Sequence, residues 1–183
     1  SRETLAKLEI YHRLLTTWQA RINLVSASTL PDLWRRHFLD SAQLFPLIEN
    51  PSAPLVDVGS GAGFPGLVLA VMGASSVTLV ERDQRKAAFL RTCATELAVG
   101  VKIVAADVKS LEPQVFSTVT ARAWASVAEV LEGVEHLIGP DTQVLLLKGA
   151  KAQDELTLAA ESWNMAVELK QSLTDPDGRI VEL

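Results

Sequence analysis

The sequence predicts an α/β fold: a seven-stranded, mostly parallel sheet between helices, ending in an antiparallel hairpin and preceded by a helical cap. Three observations carry this. The β-branched run Leu55-Val56-Asp57-Val58, behind Pro54, reads as a buried strand. It breaks into Gly59, Gly61, Gly63 and Gly66 before the apolar, helix-like run Leu67 to Val71. From there strand-like and helix-like segments alternate, which requires parallel strands joined by crossover helices. Finally, Val167 to Leu173 and Arg179 to Leu183 flank Asp175-Pro176-Asp177-Gly178, a hairpin with Asp-Gly at its turn. The chain divides into a cap, 1–50, and an α/β core, 51–183, within one compact domain large enough to bury a full core.

In the cap, Leu5, Leu8, Leu15, Trp18 and Ile22 recur at near-helical spacing and give a first helix one apolar face. The segment Arg21 to Ser26 ends it. A second helix is expected to begin near Pro31, capped by Thr29, since proline is tolerated in a first turn. It carries Arg35, Arg36, His37 and Asp40. The two arginines read either as a solvated face or as a phosphate-facing patch over a cleft. His37 and Asp40 lie three apart, on one face, where they can pair. In the core, strand two spans Ser76 to Glu81, and the next helix Gln84 to Leu97. Strand three spans Val101 to Ala105, strand four Phe116 to Ala121 and strand five Gln143 to Leu147, with a last helix from Asp154 to Trp163.

Composition narrows the class. Hydrophobic residues at 48% and charged residues at 21% are ordinary for a soluble enzyme. Apolar runs break well short of a membrane span and no signal-peptide pattern opens the chain, so the expected location is the cytoplasm, with no membrane partner. Ser1 is not a natural start, which implies a short missing N-terminal piece. Cys93 stands alone, which excludes an internal disulfide and a cysteine-based zinc site and fits a reducing cytosol; no metal is expected. A net charge of −5 argues against a general nucleic-acid binder but leaves room for a local basic face.

The glycine loop presents bare backbone N–H groups beside a crevice, so a ligand can lie directly against the main chain. Gly61-Ala62-Gly63-Phe64-Pro65-Gly66 matches the dinucleotide fingerprint G-x-G-x-x-G. Asp57, however, sits inside the strand two residues before Gly59, where it would repel a pyrophosphate. It suits a ligand with an ammonium group, or a loop whose amides need bracing. S-adenosylmethionine carries an ammonium and a sulfonium and no phosphate. The run D-V-G-S-G-A-G is similar to motif I of the Rossmann-like methyltransferases, which favours that cofactor over NAD. Glu81 lies 22 positions after Gly59 (81 − 59), in register to hold ribose hydroxyls, a role that NAD enzymes share. Asp107, just past strand three, suits the exocyclic amine of an adenine, with Val108 offering its backbone.

Strand four leads into Arg122-Ala123-Trp124-Ala125-Ser126, where an open α/β sheet presents its reactive edge. No Asp/Asn-Pro-Pro-Tyr/Phe run occurs there, which disfavours methylation of a base's amino group. No Pro-Cys follows the strand, and Thr92-Cys93 lies in a helix elsewhere, so thiolate attack on a pyrimidine has no candidate.

Taken together, these residues resemble one family over nearly the whole chain, the bacterial small-subunit ribosomal RNA guanine-N7 methyltransferases, also called glucose-inhibited division protein B. The resemblance rests on Asn23-Leu24, Arg36-His37-x-Leu39-Asp40-Ser41, D-V-G-S-G-A-G-F-P-G, Phe89-Leu90-Arg91, Arg122-Ala123-Trp124-Ala125-Ser126, Lys148-Gly149 and Arg179. The R-A-x-A-S run is the discriminating piece. Glu81 stands where an Asp also occurs in the family. The resemblance implies a class I S-adenosylmethionine-dependent methyltransferase, with S-adenosylhomocysteine as product. The implied reaction is methyl transfer to N7 of one guanine in the decoding-region loop of 16S rRNA, naked or in the small ribosomal subunit.

Guanine N7 has a free lone pair and no proton, so in-line displacement needs no general base and depends on orientation. On this reading Gly59, Gly61, Gly63 and Phe64 face the methionine and ribose, Asp57 braces the loop, Glu81 holds the ribose, and Asp107 with Val108 takes the adenine. Arg122 touches the cofactor carboxylate or the RNA. The RNA face comprises Arg35, Arg36, His37, Lys148 and Arg179, with Trp124 as a stacking surface or as core packing. Two other classes stay open: a small-molecule methyltransferase with residues 1–50 as a lid, which the acidic charge favours, and a non-catalytic RNA-binding or assembly factor.

Overall fold

A computed structural model describes residues 1–183. Its strands are β1 Leu55–Val58, β2 Val77–Val80, β3 Val101–Val104, β4 Thr118–Arg122, β5 Gln143–Lys148, β6 Glu168–Gln171 and β7 Arg179–Glu182. They form one seven-stranded sheet in the order β3-β2-β1-β4-β5-β7-β6. β1 to β5 pair in parallel, and β7 runs antiparallel between β5 and β6. Strand order therefore reverses between β1 and β4, and a crevice opens there at the carboxyl ends of the strands.

The helices are α1 Arg2–Gln19, α2 Asp40–Ala42, α3 Gly66–Met72, α4 Gln84–Glu96, α5 Val127–Val134 and α6 Ala152–Ala159. Alternation along the buried strands sorts side chains into two layers. Leu55, Leu79, Leu145 and Leu147 meet α1, α3 and α4, while Val56, Val58, Val119 and Leu146 meet α5 and α6. The cap shares the first layer, since Tyr11, Leu15, Phe38 and Leu44 pack in one cluster with strand residues. No helix is long and apolar enough to cross a membrane.

The structure corrects three readings of the cap. In α1 the buried side chains are Tyr11 and Leu15, while Leu5 lies half exposed. The second helix starts as a 3-10 turn, Ala27–Asp32, and Thr29 does not cap it; the Thr29 hydroxyl donates to the Ser26 carbonyl at 2.8 Å. It then widens into a π-helical turn, Trp34–Leu39, before α2. That turn changes which side chains share a face, so His37 and Asp40 do not bond to each other. In the core, β4 begins two residues later than expected because Phe116 directs its N–H to the Leu137 carbonyl at 3.0 Å. The last helix is shorter than expected and runs Ala152–Ala159.

Candidate functional site

The loop after β1 turns through left-handed backbone at Gly59 (φ 66°), Gly61 (φ 57°) and Gly63 (φ 94°). At two positions glycine is also required for space. A Cβ on Gly59 would stand 2.7 Å from the Trp124 ring, and one on Gly63 would stand 2.6 Å from the Tyr11 hydroxyl. Asp57 lies beneath the loop, fully buried. Its Oδ1 accepts from Thr120 Oγ1 at 2.8 Å, and its main-chain carbonyl accepts from Ser60 Oγ at 2.9 Å. Its Oδ2 lacks a well-formed hydrogen bond, although the Gly66 amide is near enough to favour the charge. Burial dominates and lifts the Asp57 pKa to about 6, against the hydrogen bonds that oppose it. Asp57 thus braces the loop from below and does not line the cleft. Gly63 likewise faces α1 and not the cleft.

Above the loop is a cleft of about 570 Å³ lined by Gly59, Ser60, Gly61, Phe64, Glu81, Asp107, Val108, Arg122 and Trp124, among others. Glu81, at the end of β2, accepts the Gly61 amide at 2.8 Å and the Asp83 amide at 2.8 Å, one on each carboxylate oxygen. Each oxygen retains a lone pair for a ribose hydroxyl. Asp107 accepts the Lys109 amide on Oδ1 at 3.0 Å, and the neighbouring Val108 is buried. A Cβ on Gly61 would find only the Gly59 carbonyl, at 3.8 Å, so the space over that residue is open to a ligand. Two carboxylates and bare backbone around an open cradle fit a nucleoside, and Arg82, Lys86, Lys109 and Arg122 on the same lining can meet a carboxylate at its other end. S-adenosylmethionine has that chemistry.

A second cleft, of about 390 Å³, adjoins the first and shares Leu24, Arg122 and Ala123 with it. It lies between the cap, the end of β5 and the loop Ser172–Gly178. Arg122, the last residue of β4, forms the joint. Its guanidinium donates to the Arg36 carbonyl at 3.0 Å and to His37 Nδ1 at 2.5 Å, lies 3.6 Å from Asp40 Oδ2, and sits 5.1 Å from the Phe64 ring centroid. Arginine only donates, so His37 Nδ1 must accept and Nε2 must carry the proton, which it gives to Thr29 Oγ1 at 2.7 Å. Burial, then the charges of Arg122 and Arg36, lower the His37 pKa to about 3, so the ring is neutral with both nitrogens engaged. Ala123, next to the joint, has a positive φ of 49°.

The remaining expected site residues fall on either side of this joint. Arg36 lines the second cleft and pairs with Asp175 at 2.5 Å; Arg179 lines it and donates to the Pro176 and Gly178 carbonyls. Arg35 lies outside, with Nε donating to the Thr174 carbonyl at 3.0 Å. Lys148 is more enclosed than expected of an RNA-facing cation: its ammonium bonds the Ala125 carbonyl and pairs with Glu155 at 2.9 Å. Trp124 is wedged between Gly59 and Gly133 on the wall of the first cleft. Cys93 is buried in α4, where burial pushes its thiol up to about 12, so it is no nucleophile.

The sequence reading missed two supporting devices. Tyr11 of α1 donates its hydroxyl to the Ala62 carbonyl and stacks on Phe64 at 5.3 Å and 19°. Its spacing four before Leu15 placed it on the apolar face, but nothing local marked a buried partner for the hydroxyl. Ser126 and Glu129 form a capping box that starts α5. The S-x-x-E spacing before an apolar run was a readable signal.

The family model described as rRNA small subunit methyltransferase G matches residues 4–179. A protein named ribosomal RNA small subunit methyltransferase G from Paramagnetospirillum magneticum is 50% identical, covering 100% of this chain and 89% of its own length. One of the same name from Gluconobacter oxydans is 43% identical, over 100% and 94%. Among solved structures, magnesium protoporphyrin IX methyltransferase from Synechocystis, with bound S-adenosylmethionine, superposes with a TM-score of 0.70 at 15% identity, covering 100% of this chain and 96% of that one. A tRNA methyltransferase from Aquifex aeolicus gives 0.64 at 17% identity, over 79% and 67%. The fold is therefore that of the class I S-adenosylmethionine-dependent methyltransferases.

Proposed function

The chain belongs to the rRNA small subunit methyltransferase G family, and from that premise we propose that it methylates N7 of one guanine in the decoding-region loop of 16S rRNA. The observation that carries the choice of atom is the joint between the clefts. Amino groups, ring N–H groups and ribose hydroxyls must lose a proton when methylated. The imidazole at the joint cannot take one, because Arg122 holds Nδ1 and Thr29 holds Nε2, and its pKa near 3 keeps it neutral. Guanine N7 has no proton to lose. Its reaction asks only for placement and for a field that tolerates growing positive charge on the base.

S-adenosylmethionine, when bound, supplies an electrophilic methyl group on a sulfonium. Glu81 holds the ribose, Asp107 and Val108 take the adenine, and the Gly59–Phe64 loop carries the amino-acid portion, stiffened by Asp57 from below and Tyr11 from the side. Asp40 and Asp175, on the wall of the second cleft, oppose the charge that develops on the guanine. Arg35, Arg36 and Arg179 meet RNA phosphates at the outer rim, a local basic face on an acidic chain.

Replacing the target guanine by 7-deazaguanine tests the reading. Methyl transfer should vanish while RNA binding stays within about twofold, a change too small to matter on the affinity scale. With natural RNA, the single-turnover rate should be flat from neutral to alkaline pH. A rate climbing tenfold per pH unit would mean that a proton must leave, and would overturn the choice of N7.

A further inference from the structure

We propose that the second cleft seats the target base by its O6/N1–H edge, on the donor–acceptor pair formed by Arg122 and Asp40. This rests on the reading that the substrate atom is guanine N7. Arg122 and Asp40 both line that cleft, and their side chains are 17% and 18% exposed, so both heads are reachable from it. The guanidinium has five N–H donors, of which one goes to the Arg36 carbonyl and one to His37, leaving others for a ligand. Asp40 Oδ1 is fixed by the Thr174 hydroxyl at 2.6 Å and the Gln43 amide at 2.9 Å. Its Oδ2 has only the 3.6 Å approach of Arg122, which is longer than a hydrogen bond. A rigid acceptor thus stands beside a rigid donor.

Guanine presents the complementary pair: O6 accepts and the adjacent N1–H donates. Adenine presents the reverse order on the same edge, an amino donor beside an acceptor nitrogen, so it would set donor against Arg122 and acceptor against Asp40. O6 also neighbours N7, so a base held by O6 at the joint has its N7 next to the boundary with the first cleft. The Asp40 carboxylate lies close to the base on which positive charge grows. Asp40 and its supports Thr174 and Gln43 come from the cap and the loop Ser172–Gly178, which gives those two elements a common task at the site.

The test crosses protein with base. Small-subunit RNA is prepared by ligation with guanine, N1-methylguanine or 2-aminopurine at the target position; all three keep N7. Wild-type kcat/KM should fall about 10- to 100-fold with either analogue, the discrimination expected of a good two-point base contact. Asp40→Asn should slow transfer to guanine by a similar factor while leaving 2-aminopurine unchanged or faster, because the amide can donate to its N1. Equal slowing on both bases, with cofactor affinity intact by calorimetry, would assign Asp40 a structural role and overturn the proposal. If the variant does not fold, the wild-type arm still decides: N1-methylguanine methylated as fast as guanine overturns it. Absence of N7 transfer to natural guanine by the wild type is a separate result, and rejects the functional reading beneath.

Discussion

The two clefts meet at one arginine but are built in opposite ways. Residues of the first cleft stand at the carboxyl ends of successive strands: the loop after β1, Glu81 after β2, Asp107 after β3 and Arg122 at the end of β4. The second cleft is closed by side chains that meet across long stretches of chain, such as Arg36 with Asp175 and Asp40 with Thr174. One is set by sheet topology and backbone, the other by tertiary polar contacts. Substitutions should therefore separate cofactor affinity from RNA affinity along this line.

The largest effect is expected from Gly63→Ala. Its Cβ would meet the Tyr11 hydroxyl at 2.6 Å in a backbone region that disfavours side chains, so folding stability should drop by roughly 2–4 kcal/mol. Cofactor affinity, by calorimetry, should fall more than about tenfold, the scale of 1.4 kcal/mol. Unchanged cofactor binding would mean that the loop is not held as described.

Two buried groups at the opposite regions should give opposite pH slopes. Asp57 keeps its proton up to about 6 in the fold, against 3.8 unperturbed, so its contribution is full below pH 3.8 and is lost as pH rises through 6. His37, at about 3 against 6.5, contributes fully above 6.5 and loses that contribution as pH falls toward 3. Each slope approaches about 1.4 kcal/mol per pH unit per proton at most. Urea titrations at stepped pH should find a steeper acid-side loss in Asp57→Asn and a shallower one in His37→Gln. Slopes identical to wild type in both would contradict the assignments.

Tyr11→Phe keeps the ring stack and removes one hydrogen bond, so cofactor affinity should weaken about three- to tenfold, the scale of one net hydrogen bond, with RNA affinity unchanged. Arg36→Gln should do the reverse: RNA binding weaker by a few-fold with a flatter salt dependence, and cofactor binding intact. Asp175→Asn, which frees Arg36, should strengthen RNA binding slightly. Should Arg36→Gln instead weaken the cofactor, the division between the clefts fails. Smallest of all, Cys93→Ser should leave turnover per folded molecule unchanged, since the buried thiol faces no cleft.

The same contrast explains what could be read in the sequence. The strand-then-glycine pattern, the 22-residue step to Glu81 and the Asp-Gly hairpin are local signals, and the sheet and the first cleft followed from them. The π-helical turn at Trp34–Leu39 has no such signature, so the pairing expected between His37 and Asp40 was replaced by contacts of both with Arg122. Lys148 looked like a free cation because its partners, the Ala125 carbonyl and Glu155, are set by how α6 packs. Tyr11 was silent for a similar reason, since the Ala62 carbonyl it serves lies 51 residues on.

The central claim is methyl transfer to a proton-free ring nitrogen of guanine at a joint whose histidine is closed to proton transfer. Its most direct test supplies isotope-labelled S-adenosylmethionine with small subunits, and with naked 16S rRNA, from cells lacking the modification, then maps the labelled atom by mass spectrometry. The account predicts label on N7 of a single guanine in the decoding-region loop. Label on an amino group or a ribose oxygen, or no label in either RNA form while the cofactor still binds, would contradict it.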